Sequence, residues 1–102
     1  MIRHRIIWTL REDLSDEEKQ VVKQNAKENL EGLMGQIDGL LSICVEIAPL
    51  PSSTGDMMLD SLFADEASLK GYSGHPKHVY VANTFVRPYT ATRACMDYES
   101  QE

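Results

Sequence analysis

Hydrophobic and polar residues alternate from the second position of the chain. In residues 2–10, IRHRIIWTL, one face holds Ile2, His4, Ile6, Trp8 and Leu10, and the other Arg3, Arg5, Ile7 and Thr9. Period-two alternation predicts a strand, here with both faces partly covered. The period then changes. Val22, Ala26, Leu30, Leu33 and Ile37 recur at helical spacing and predict a helix ending near Gly35. Ser15 and Glu18 have capping-box spacing, and Asp16, Glu17 and Glu18 suit the positive end of the helix dipole. Residues 39–48 return to alternation, with Leu41, Ile43, Val45 and Ile47 opposite Ser42, Cys44 and Glu46. A Pro/Ser/Gly loop follows over 49–55. Residues 56–65 predict a third strand, with Met57, Leu59, Ser61 and Phe63 on one face.

Residues 65–74 predict a short helix capped by Asp65. A further helix starts at Pro76, whose missing amide costs nothing at the first helical position, and makes His75 the N-cap. It runs through Val79, Val81, Ala82 and Phe85 and stops near Arg87 and Pro88. Residues 90–99 predict a fourth strand, with Ala94, Met96 and Tyr98 opposite Arg93, Cys95 and Asp97. The order βαββααβ is the ferredoxin-like pattern of the α+β class, an antiparallel sheet with helices on one face. The other face still carries apolar residues, and no element is left to cover it. The expectation is a homodimer packed sheet to sheet through that open face.

Composition narrows the function classes. A chain of 102 residues is expected to be a single domain spanning 1–102. No apolar run reaches the roughly 18 residues of a membrane span. The start, MIRHRIIWTLRED, reads as the first structural element and not as a signal peptide, so the expected compartment is cytoplasmic. The net charge of −6 argues against a nucleic-acid partner, which needs a Lys/Arg stripe. Arg3, Arg5 and Arg11 are read as solvated, interface or small-anion charge. Cys44 and Cys95 lie in strand patterns without CxxC spacing and are read as small buried hydrophobes.

Four stretches resemble the stress-responsive alpha/beta barrel domain family, Dabb: MIRHRIIWTLRED, IDGLLSICVEIAP, LFADEASLKGYSGHPKHV and VRPYTATRACMDYE. Their order and spacing carry the resemblance over nearly the whole chain. It implies a ferredoxin-like fold that dimerises into an α/β barrel. A plant member of the family closes a linear polyketide by aldol condensation without metal or cofactor. By that resemblance His78 matches the acid/base histidine, Tyr72 a pocket tyrosine, Asp97 the carboxylate orienting the histidine, and His4 a further pocket histidine. Another family histidine falls at or near Met57, a departure that makes the same substrate an unsuitable one.

An aldol step needs a base at the carbon beside a carbonyl and a donor for the developing oxyanion. His78 as base, Tyr72 as donor and Asp97 as orienter would supply these parts. The structural alternative is a buried His78–Asp97 hydrogen bond tying the last helix to the last strand. His4, Trp8, Met57 and Phe63 are read as ligand-binding, and Tyr80 and Phe85 as core or pocket wall. Arg87 and Arg93 are placed near the rim, as anion attractors or plain surface charge. A metal site from His4, His75 and His78 is disfavoured by spacing, and no cofactor is expected. The expected function is binding a small apolar or aromatic carbonyl compound, with cofactor-free acid/base chemistry on it. A non-catalytic, stress-associated protein with a filled core and a cofactor-independent monooxygenase are the alternatives.

Overall fold

A computed structural model describes residues 1–101. The strands are β1 (Ile2–Leu10), β2 (Leu40–Glu46), β3 (Met57–Phe63) and β4 (Thr90–Glu99), and the helices are α1 (Asp16–Glu31), α2 (Glu66–Gly74) and α3 (Pro76–Val81). The strands form one sheet in the order β2-β3-β1-β4, with every neighbouring pair antiparallel. This is the ferredoxin-like α+β fold expected from the pattern.

Local grammar sets each helix start. Ser15 and Glu18 form the reciprocal capping box of α1. Asp65 caps α2 by accepting from the Ser68 amide at 2.8 Å. His75 caps α3 through Nδ1, which accepts from the Lys77 amide at 3.1 Å, with Pro76 in the first turn. The last helix does not continue uniformly to Arg87. Residues Ala82–Val86 form a wider π-helical turn, in which the Arg87 amide donates to the Ala82 carbonyl. A 3-10 turn over Arg87–Tyr89 follows.

The inner face of β1 and β3 carries the core. Ile2, Ile6, Trp8, Leu10, Met57, Leu59 and Phe63 are buried there against Val22, Ala26 and Leu30 of α1. Burial of side chains this size contributes about 1.5–3 kcal/mol each. Leu33 and Ile37 also join the core, but from turns beyond the end of α1. Those turns need two glycines in the left-handed region, Gly35 and Gly39. Gly39 also meets α2 closely: a Cβ there would lie 2.1 Å from Ser68 Oγ.

Three expectations about burial along the strands are corrected. Leu41 does not face the core, because the β2–β3 register steps from Leu40↔Phe63 to Ser42↔Leu62 and leaves Leu41 exposed in the irregularity. Cys44 is exposed on the outer face, opposite Asp60. Cys95 points to the inner side but is exposed, because it lies on the edge strand beyond the main cover of the helices. The outer sheet face mixes apolar and charged groups. Ile7 and Met96 are exposed there, Met58, Leu62 and Tyr98 are half-buried, and Arg3 donates to Asp60 at 3.1 Å.

Candidate functional site

A cavity of about 230 Å³ lies between the sheet and the helices. Its sheet wall includes His4, Ile6 and Trp8 of β1 and Leu59 of β3. Leu30 of α1, Tyr72 and Ser73 of α2, and His78 of α3 form the helical wall. Ala82, Val86 and Arg87 from the turns after α3 and Thr90 and Arg93 from β4 complete it. Arg87 and Arg93 are exposed members of this lining, so positive charge stands where the cavity meets solvent.

Tyr72 is the centre of the arrangement. It is 1% exposed, and its hydroxyl makes no hydrogen bond among the described residues. Burial without a stabilising partner pushes the phenol well above its ordinary value, so it stays protonated. Its ring lies 5.0 Å from that of Phe63, 6.2 Å from His4 and 4.1 Å from His78, centroid to centroid. The contact with His78 is a tilted stack at 36°.

His78 is placed by the two helix ends around it. Its Nδ1 donates to the Ser73 carbonyl at 3.2 Å, across the break between α2 and α3. That bond leaves Nε2 as the acceptor nitrogen of the neutral ring. Burial lowers the imidazole pKa, repulsion from Arg87, His4 and His75 lowers it further, and the Ser73 carbonyl acts in the opposite direction. The neutral form, able to take a proton, is therefore favoured.

His4 is buried between Ile2 and Ile6 on β1. Its Nδ1 makes a short hydrogen bond to Asp97 Oδ1, and Ser61 Oγ donates to the His4 carbonyl at 3.0 Å. A carboxylate on Nδ1 holds the tautomer with the proton there, and leaves Nε2 as acceptor.

The residues expected to form the site are thus partly regrouped. His4, Trp8, Tyr72 and His78 come together at the cavity. Asp97 does not orient His78. The antiparallel register sets it directly opposite His4, and it bonds that histidine instead. Asp97 lines a separate open groove of about 610 Å³ beside α2, together with Ile2, Lys70 and Tyr98. Met57 is buried and lines neither of these spaces; it borders a groove with Ile7 and Met58 under the 49–55 loop. Phe63 is fully buried and supports Tyr72 from behind. Sequence reasoning missed Ser73, whose contribution is a backbone carbonyl and so leaves no side-chain signal. It also missed the π-helical turn that brings Ala82 and Val86 to the wall.

The profile of the stress responsive A/B barrel domain matches residues 2–100. The chain belongs to the Dabb family. A dimeric ferredoxin-like protein from Bacteroides fragilis is 33% identical to this Dabb chain and superposes with a TM-score of 0.90, over 97% of this chain and 95% of its own. A Dabb protein from Mesorhizobium loti is 24% identical with a TM-score of 0.74, over 99% and 97% of the two chains. A hydroxynitrile lyase from Passiflora edulis is 13% identical with a TM-score of 0.77, over 99% and 94%, and is alike in fold alone. No curated protein matches the sequence. Among the described residues, no helix is long and apolar enough to cross a membrane.

Proposed function

We propose that this Dabb chain works as a homodimer and binds a small, largely apolar or aromatic carbonyl compound in the cavity of His4, Tyr72 and His78, on which it performs cofactor-free acid/base chemistry. The observation that carries the reading is the Tyr72 hydroxyl. A buried donor without a partner costs about 1–3 kcal/mol, and a ligand oxygen would recover that cost. The phenol donates to the carbonyl or developing oxyanion, and the neutral His78 Nε2 takes a proton from the carbon beside it. His4, held by Asp97, is a second oriented imidazole, on the sheet wall of the same cavity. Arg87 and Arg93 favour ligands that also carry a carboxylate or enolate charge.

Dimerisation is supported by the exposed Ile7 and Met96 on the outer sheet face, and by the dimeric state of the B. fragilis relative. Two sheets packed through this face would form the barrel.

The test is a panel of small aromatic ketones, keto acids and polyketide-like compounds, screened by two-dimensional NMR and then for turnover. The expected result is saturable shifts confined to residues around Tyr72, Ser73 and His78, and turnover lost in His78→Ala. Saturable shifts elsewhere only, or turnover unchanged in His78→Ala, would overturn the binding site or the base role respectively.

A further inference from the structure

β1 and β4 bring three metal-type ligands together on the inner side of the sheet edge. His4 pairs with Asp97, and Ile6 with Cys95, in the same antiparallel register. Cys95 and Asp97 therefore flank His4 from one strand face. His4 Nδ1, Cys95 Sγ and an Asp97 carboxylate oxygen all lie within 4.8 Å of one another. The sulfur is 3.8 Å from His4 Nδ1 and 3.6 Å from Asp97 Oδ1.

Those two distances have a chemical meaning. Zinc bonds of about 2.3 Å to sulfur and about 2.0 Å to nitrogen or oxygen put tetrahedral ligands roughly 3.5 Å apart along each edge to sulfur. Both sulfur edges are near that length already. Only the third edge differs: the hydrogen-bonded His4–Asp97 pair has to part to about 3.3 Å, the edge expected between nitrogen and oxygen ligands. The Asp97 side chain is 45% exposed and has room to do so, while His4 is fixed by burial.

We propose that His4 Nδ1, Cys95 Sγ and Asp97 Oδ1 form a three-ligand site for a Zn²⁺-class transition metal ion, with a fourth position left for water or another small ligand. Thiolate and imidazole select zinc, cobalt or copper over magnesium and calcium, which take all-oxygen shells. Two anionic ligands outweigh the positive charge of Arg93, two positions back on the same strand face. The open groove that Asp97 lines gives the ion an entry path.

Metal binding and the His4–Asp97 hydrogen bond exclude each other, since both use Nδ1. An ion on Nδ1 requires the ring proton to sit on Nε2, so Nε2 changes from acceptor to donor. The site itself is independent of any ligand in the cavity.

The test is Co²⁺ substitution of the full chain, read by absorption, with Zn²⁺ competition against a chromophoric chelator. The expected result is one equivalent of Co²⁺ per chain giving a thiolate-to-cobalt charge-transfer band and tetrahedral d–d bands, all displaced by Zn²⁺. Cys95→Ser abolishes the charge-transfer band, and Cys44→Ser, which alters the thiol on the other face, retains it. Asp97→Asn weakens Zn²⁺ binding by about 100-fold or more, beyond the 10–100-fold typical of outer-shell changes. All three variants alter exposed side chains, and circular dichroism verifies their fold. Absence of the band in the wild type, or its persistence in Cys95→Ser, overturns the proposal.

Discussion

Tyr72 and His78 stack with ring centroids 4.1 Å apart, and the tyrosine hydroxyl beside that stack has no hydrogen-bond partner among the described residues. An unpartnered buried hydroxyl is a cost to the empty protein. Tyr72→Phe keeps the ring and removes the cost, so it is expected to stabilise the fold by about 1 kcal/mol. Chemical denaturation with an unchanged m-value measures this. The same variant loses about tenfold in affinity for the carbonyl ligand, the equivalent of one hydrogen bond. Destabilisation by 1 kcal/mol or more would mean that the hydroxyl is satisfied in the free protein.

Asp97 belongs to His4 and not to His78, and the two assignments separate in solution. Asp97→Asn removes the carboxylate that holds the proton on His4 Nδ1. Imidazole ¹⁵N shifts are expected to change for His4, with those of His78 unmoved because its Nδ1 is held by the Ser73 carbonyl. A change at His78 comparable with that at His4 would restore the assignment to the other histidine.

What the sequence made legible follows from the range of the interactions. The capping box of Ser15 and Glu18, the Asp65 cap and the His75–Pro76 start each lie within a few residues, and all could be read directly. The alternation of β1 and β3 was equally direct, because both strands are central and bury one clear face. The partner of Asp97 was not legible. It depends on a pairing across 93 positions, and either histidine satisfied the chemistry equally well on paper. The cysteines misled for another reason. Cys44 and Cys95 stand on the two edge strands, where an apolar-looking run does not guarantee cover. Leu41 shows the effect of a single register shift, which alternation alone cannot anticipate.

His78 supplies a pH dependence whose sign can be worked out. Burial holds its folded-state pKa below the ordinary 6.5 of the unfolded chain. Between these two values the unfolded chain binds more protons at this site than the folded one, so stability rises with pH. The contribution is fully present above about pH 6.5 and is lost as pH falls through the folded value. The difference between wild type and His78→Gln isolates the effect from the other ionisable groups. The expected outcome is a shallower rise of stability with pH below 6.5 in His78→Gln. Identical slopes in the two proteins would mean that His78 keeps its unfolded-state pKa on folding.

The outer sheet face decides the assembly. Met96 is 65% exposed in the single chain, so replacing it with lysine leaves the monomer fold intact but buries a charge in any sheet-to-sheet dimer. Val21 is 59% exposed on α1, on the helical side of the sheet, and Val21→Lys serves as a control of the same chemistry. Light scattering at micromolar concentration is expected to give twice 11.5 kDa for the wild type and for Val21→Lys, and 11.5 kDa for Met96→Lys. A wild-type mass of 11.5 kDa would refute dimerisation. A Met96→Lys dimer as tight as the wild type would place the interface elsewhere, and leave Ile7 and Met96 as ordinary exposed apolar residues.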